Sequence, residues 1–483
     1  MVFSSLLFLF LFLPLILTVY FLLKRQWRNA FLFISSVLFY MWGEGTYVAI
    51  LLLCIIFNYY IALFIEKAGA VSQTKSRKFV SVAIAFNLVL LIICKYANFF
   101  VDQLNLGLHL FSEKSLHLAK IHLPIGISFF TFQAISYVVD VYRKDVKATR
   151  SLINFAAYKS FFPQLLAGPI VRYRDIALQM TSRSVTPELF VSGINRFIVG
   201  LGKKVLIANT VAATADIIFS VPPSELSFGT AWLGLACYTL QIYFDFSGYS
   251  DMAIGMGRMF GFQFLENFNY PYTAVSIHDF WRRWHISLST WFRDYLYIPL
   301  GGSRHSTVRT HSNLILVFFL CGFWHGASWT FVVWGLWHGL FLIVERLRNR
   351  AFIKLIGGPL SHLYVLLVVM IGWVFFRAES LDYALNYLKA LLGLSVASTI
   401  PLSAYAVNTT ELILASIVGI VGSAPIAKRL PILAEGLISR ESSTHSANVL
   451  IAGTHGIMLA AVFLLSVVSL AGGSYNPFIY FRF

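Results

Sequence analysis

An all-α polytopic membrane bundle is the fold class this sequence predicts, on three observations: its composition, its unbroken apolar runs and the placement of its basic residues. Of 483 residues, 58% are hydrophobic and only 12% charged, and the mean hydropathy is +0.74. Soluble chains are about one quarter charged, so this chain has too few charges to coat a body of its length in water. Runs of about 20 apolar residues recur, the length that spans a hydrocarbon layer roughly 30 Å thick. Inside lipid every backbone N–H and C=O must be satisfied within the protein, which leaves helices or a closed barrel. A barrel would alternate apolar and polar residues over segments of about ten. These runs are continuous, and helices follow.

The formal charge of +16 belongs to loops. Basic patches interleaved with aromatics, the mark of a nucleic-acid surface, are absent. Lys24, Arg25 and Arg28 follow the first run, whereas the turn Gly43 to Thr46 has no basic residue. Lys67, Lys75, Arg77 and Lys78 come next; the loop Val101 to Ile121 then sets Lys114 and Lys120 against Asp102 and Glu113. Arg143, Lys144, Lys147 and Arg150 close the series. Basic loops face the cytoplasm, so the alternation predicts an N-terminus outside. The opening run lacks a basic n-region and is too long for a signal-peptide core, and reads as a first span.

The first five spans read as 4–23, 29–43, 46–65, 79–100 and 122–142, with Pro14 kinking the first. The segment Phe161 to Arg174 is apolar but broken by Pro163, Gly168 and Pro169, which predicts a re-entrant or interfacial element buried against protein. A helix around 188–219, interrupted by Arg196, Lys203 and Lys204, precedes a stronger span at 228–246. In 278–297, Trp281, Trp284, Leu288, Trp291, Phe292 and Tyr295 form one aromatic stripe at helical spacing. That pattern predicts an amphipathic helix, at the membrane surface or packed on the bundle. Thr310 to Val344 holds no Asp, Glu, Lys or Arg. It is one long tilted helix or two helices meeting near Gly326 to Ser328. Spans at 361–376, 411–427 and 448–470 complete about ten to twelve membrane helices, with polar linkers at 378–408 and 428–446. The chain reads as one integral-membrane domain over 1–483, with no separate soluble domain.

Phosphate-loop, dinucleotide-binding, zinc-protease and nucleophile-elbow signatures are missing. Cys54, Cys94, Cys237 and Cys321 lie in apolar runs without metal or disulfide spacing, so no metal is expected. Polar residues in apolar surroundings remain, and in a membrane these are functional candidates. His325, in FWHGASW, is the foremost: a neutral imidazole can take a proton from a hydroxyl near neutral pH. The plain alternative is a packed histidine bonded to a neighbouring carbonyl. His338, in WGLWHG, looks similar but reads as packing, and His285 alone reads as an interfacial histidine. Arg282 and Arg283 suit either Asp279 or a phosphate. Asp245 and Asp251 suit ion pairs with arginines, and ENFNYPY reads as a turn in which Pro271 holds Tyr270 extended.

Taken together, FFPQLLAGPIVRY (161–173), YFDFSGYSDMAIGMGRMFGF (243–262), ENFNYPY (266–272), FWRRWHISLSTWFRDYLYIPLGG (280–302), FWHGASWTFVVWG (323–335) and the closing NPFIYFRF resemble the membrane-bound O-acyltransferase family, in its polysaccharide-modifying branch. The resemblance covers nearly the whole chain. It implies a membrane acetyltransferase of the cell inner membrane that passes an acetyl group from a cytoplasmic thioester, acetyl-coenzyme A, toward an exported polysaccharide. Alginate is the acceptor it implies first, with peptidoglycan or another exopolysaccharide as the alternative. His325 and His285 map onto the family's two histidine positions, and Trp324, Arg282, Asp294, Asn267 and Asp245 are expected around the substrates. No bound cofactor is implied. A separate periplasmic acetyltransferase is implied as partner, since the chain carries no fused soluble transferase. The rival class is a transporter or flippase, which would also use broken helices and midplane polar residues but would consume no acyl donor.

Overall fold

The computed structural model describes residues 2–111, 115–166, 168–347, 357–395, 405, 408–426, 444–473 and 475–477. Among these residues the regular structure is helical throughout, with no strand. The first half contains α1 (Leu13–Leu22), α2 (Arg28–Glu44), α3 (Val48–Val71), α4 (Gln73–Leu108), α5 (Ile127–Arg143), α6 (Leu152–Ser160), α7 (Phe162–Leu165), α8 (Tyr173–Thr181), α9 (Pro187–Gly202) and α10 (Asn209–Ser220). The second contains α11 (Phe228–Met259), α12 (Ile277–Arg283), α13 (Ile286–Phe292), α14 (Thr307–His325), α15 (Trp329–Leu347), α16 (Gly358–Arg377), α17 (Leu381–Leu391), α18 (Thr409–Gly422) and α19 (Thr444–Ala471). Six stretches among the described residues are long and apolar enough to cross a membrane, and Phe8–Leu22 and Thr409–Gly422 are shorter apolar helices. The expected ten to twelve spans are therefore not reached by length and composition alone. The 32-residue α11 is not among the six. Its Gln241, Asp245, Ser247, Ser250 and Asp251 make it polar for a span, yet all five are buried in the protein.

The polar side chains of α11 need close protein neighbours, and glycine provides the approach. A Cβ on Gly200 of α9 would stand 2.6 Å from the Gly248 carbonyl oxygen of α11, and one on Gly248 would stand 2.7 Å from that of Gly200. Small residues at a helix crossing let the backbones meet and dispersion act at full strength. The same device joins α14 to α15, where a Cβ on Gly322 would run into the Phe331 carbonyl oxygen. Between these two helices the chain breaks at 326–328, so Thr310 to Val344 forms two helices.

Other expectations change in detail. The segment 278–297 is not one helix: it breaks at Trp284–His285 into α12 and α13, followed by a π-helical turn at Arg293–Tyr297. Its aromatic stripe is packed on the bundle, with Trp281, Trp284, Leu288, Trp291 and Phe292 all buried. The segment's described residues from Phe161 to Tyr173 are buried as expected, and its regular parts are the one-turn α7 and the start of α8. The linker 378–408 contains α17, whose buried Tyr387 hydroxyl donates to the Ala231 carbonyl. Tyr270 is left-handed (φ 48°, ψ 61°), not extended. The turn folds back tightly enough for the Asn269 N–H to reach the Arg283 carbonyl at 2.9 Å. Most of the 428–446 linker and the FIYFRF end of the closing motif lie outside the described residues.

Candidate active site around His285 and His325

His325 is the last residue of α14 and is buried. A helix end leaves four carbonyls without intrahelical partners, which is costly away from water. Here α4 supplies the donors. The Tyr96 hydroxyl donates to the Phe323 carbonyl at 2.7 Å, and the Lys95 ammonium donates to those of Trp324 and His325 at 2.6 and 2.9 Å. The histidine backbone is thus clamped from a neighbouring helix. Its ring packs edge-on against Trp334 and Phe376 with centroids 5.0 and 5.2 Å away, and its Nδ1 has no hydrogen-bond partner among the described residues.

Beside it lies a cavity of about 300 Å³, walled by His325, Trp324, Lys95, Phe129, Leu166 and the segment His122–Ser128. Its mouth carries His122, whose Nε2 is 2.9 Å from the buried Glu44 carboxylate. A second cleft of about 190 Å³ approaches α14 from the other end. It is lined by Cys321, Phe318, Val317 and Leu314 of that helix, by Trp281 and Leu288, and by the cationic side chains Arg282 and Arg293. Cys321 stands one helical turn before His325. The first cavity thus meets α14 at its last residues, and the second lines it up to one turn before them.

His285 sits at the break between α12 and α13 in a left-handed conformation, φ 43° and ψ 56°. A non-glycine residue there stores strain and needs its surroundings to hold it. Asn267 does so. Its Oδ1 accepts from the Ser287 N–H at 3.2 Å and the Ser287 hydroxyl at 2.8 Å, while its Nδ2 donates to the Ser250 hydroxyl at 3.0 Å. A backbone N–H can only donate, so the amide atom facing it is the oxygen. The same oxygen lies 3.1 Å from His285 Nδ1, so Nδ1 carries the proton and Nε2 keeps its lone pair. That Nε2 is buried with no hydrogen-bond partner among the described residues. Both imidazoles neighbour the Trp324 indole, His285 at 6.4 Å and His325 at 4.9 Å between centroids. The arrangement suits proton transfer in a water-poor space, the condition under which a reactive thioester survives.

Of the expected site residues, the structure brings His325, His285, Trp324 and Asn267 together. Arg282 lies apart, on the second cleft. It leaves Asp279 to Arg283, which holds that carboxylate at 2.9 Å. Asp294 is the hub of an ion cluster, with Arg293 at 2.7 Å, Arg172 at 2.8 Å and Arg174 at 3.4 Å. Burial alone would raise its carboxyl, but hydrogen bonds from Arg293 and Arg172 outweigh that and hold it below the usual carboxylate range. Asp245 is buried in an ion pair, and its partner is Lys204 at 2.6 Å, not the expected arginine. Asp251 does meet an arginine, Arg196 at 2.7 Å, together with Lys203 at 2.8 Å. Lysine wins at Asp245 because the π-helical turn Lys203–Ala208 packs directly on α11 and presents that side chain. Sequence reasoning missed Lys95, Tyr96 and Ser287. The signal for Lys95 was present: it is a lone cation inside the 79–100 span, and intramembrane charges are functional candidates.

The family model of the membrane-bound O-acyltransferases matches residues 46–376. The chain belongs to the membrane-bound O-acyltransferase family. It is accordingly a multi-pass membrane acyltransferase. It is 44% identical to the probable alginate O-acetylase AlgI of Azotobacter vinelandii and 41% identical to that of Pseudomonas aeruginosa, each over the full length of both chains. It is also 38% identical to the peptidoglycan O-acetyltransferase of Helicobacter pylori, over 83% of this chain and 82% of the relative.

Proposed function

We propose that this protein O-acetylates alginate on its way out of the cell, carrying acetyl groups from cytoplasmic acetyl-coenzyme A across the inner membrane to a periplasmic acetyltransferase that completes delivery. One observation carries the reading: His325 lines one cavity, and a second cleft reaches Cys321, one helical turn before it. The full-length likeness to two probable alginate O-acetylases supports the polymer. The sidedness follows from charge. The cleft with Arg282 and Arg293 lies at the end where Arg143 donates to the Asp294 carbonyl, and Arg143 opens one of the basic loops. That end faces the cytoplasm, the N-terminus is periplasmic, and the cationic cleft suits the phosphates of the donor.

In the transfer, His325 accepts the proton of the acceptor hydroxyl as its oxygen attacks the acetyl carbonyl. The carbon–sulfur bond then breaks, and the imidazolium returns its proton to the departing thiolate. His285, locked with its Nδ1 proton on Asn267, keeps Nε2 available to orient the acceptor or the thioester. The buried aromatic rings exclude water.

The test is the acetyl content of exported polymer from cells carrying His325→Ala, in protein that inserts at the normal level. Loss of about 10³-fold or more is expected for a removed base and its oriented contacts; near-normal acetylation would sink the assignment. Acetylated peptidoglycan with unmodified alginate would move the acceptor to that of the Helicobacter relative.

A further inference from the structure

We infer that Lys95 is the fixed cation of the transfer step, donating an N–H to the negative charge that develops on the acetyl oxygen in the cavity beside His325. The inference rests on the reading of His325 as the base. Lys95 Nζ spends two of its three donors on the carbonyls of Trp324 and His325. No carboxylate lies within ion-pair distance of it among the described residues, whereas Arg293 on the second cleft is paired with Asp294 at 2.7 Å. Its side chain lines the same cavity as His325 and Trp324. An ammonium held by two carbonyls keeps its orientation, and its third proton points to neither.

This arrangement meets the physical requirement for stabilising an oxyanion. The donor must be in place before charge appears, in a site with little water, so that nothing reorganises at the moment of reaction. When the acceptor oxygen attacks, the carbonyl π electrons move onto oxygen, and Lys95 donates to that oxygen without giving up its proton. As the tetrahedral adduct collapses, the electrons return, the carbon–sulfur bond breaks and the thiolate takes the proton held by His325. Lys95 ends the cycle as it began. The clamp on the His325 carbonyl gives it a second effect, fixing the base relative to the cation.

The experiment uses the full-length protein in membrane vesicles of a polymer-producing host, supplied with radiolabelled acetyl-coenzyme A. Lys95→Gln keeps a donor for one carbonyl and loses the charge; its kcat is expected to fall about 10²-fold with KM for acetyl-coenzyme A within twofold. Lys95→Arg keeps the charge and is expected to retain at least about a tenth of the rate, a loss of one order set against two. Lys95→Cys treated with 2-bromoethylamine regains an amine of lysine length and is expected to recover activity. The native cysteines are buried, and wild-type protein treated in parallel is the control. A Lys95→Gln rate within threefold of wild type, an equal loss in Lys95→Arg, or no recovery in the alkylated protein overturns the assignment. If His325→Ala also retains its rate, it is the base reading that has failed; if His325→Ala is inactive, only the role of Lys95 has.

Discussion

His325 and His338 lie on consecutive helices, both buried, and both edge-on to the same Trp334 ring at 5.0 and 5.3 Å. By burial and aromatic company they are equivalent. They differ in what else reaches them. His325 lies on a cavity wall, with its carbonyl bonded by Lys95. His338 is enclosed by Phe280, Trp281 and Trp334, lies on the wall of neither cavity, and has no hydrogen-bond partner at either ring nitrogen among the described residues. A buried histidine thus becomes a candidate for chemistry through access and a polar frame, and burial alone supplies neither. His285 extends the comparison: it has the frame, through Asn267, and the proximity, through Trp324.

The largest expected effect that would break this comparison is at the frame itself. Asn267→Leu removes the acceptor for the His285 Nδ1 proton and for Ser287. The imidazole is then free to turn or to change tautomer, and misplacement of a reacting group by about 1 Å costs about 10²-fold. We expect kcat to fall by that order with KM for acetyl-coenzyme A little changed, and Asn267→Asp, which keeps an acceptor, to recover part of the rate. A wild-type kcat in Asn267→Leu would mean that His285 needs no frame.

A smaller effect is expected one bond further out. Ser287 donates to Asn267 and accepts the Ile170 N–H at 3.0 Å, tying the re-entrant segment to the histidine. In Ser287→Ala that N–H loses its partner, a cost of about 1–3 kcal/mol in stability, while Asn267 still accepts from the Ser287 backbone. The expected signature is a lower thermal midpoint in detergent with activity reduced only a few-fold. A loss as large as that of Asn267→Leu would show that the hydroxyl, not the amide, holds His285.

How much of this was legible in the sequence follows from the range of each interaction. The apolar runs report local energetics, so the helices were readable, but 79–100 fell short of α4 at both ends and 228–246 stopped before the polar second half of α11. Gly326, within the uncharged stretch, offered a break after His325 as one of two readings, because its lack of a side chain is itself a local signal. The break at His285 was not readable: the aromatic stripe keeps helical spacing across it, and Trp284 and His285 carry no helix-breaking chemistry. The distant Asn267 stabilises the left-handed residue through its amide and through its carbonyl, which accepts the Ile286 N–H at 2.9 Å. Partner choice failed for the same reason. Asp245 reads as a carboxylate in need of a cation, but whether Lys204 or an arginine reaches it depends on the close approach of α9 and α11. Trp324, His325 and Asn267 came together through family resemblance; Lys95 stood out locally as a lone cation and was passed over.

The smallest expected effect is at His338, and it is the most severe test of the comparison. Phenylalanine fills much the same flat volume, and the enclosure already stacks the His338 ring against Phe280 with planes 6° apart. His338→Phe removes two buried ring nitrogens that lack protein partners, and an unsatisfied buried polar group costs about 1–3 kcal/mol. The extra volume sets a limit, because the imidazole fits against Gly372, where an added Cβ would stand 3.0 Å from His338 Nε2, and overpacking costs about 1–3 kcal/mol. The two effects oppose each other, so stability is expected to move little, and acetyl transfer to stay within about twofold of wild type, the span of a site that makes no contact with the reacting groups. Loss of transfer in a His338→Phe protein with an unchanged thermal midpoint would place a working imidazole inside the aromatic enclosure. Access to a cavity would then no longer separate His325 from a histidine that only packs.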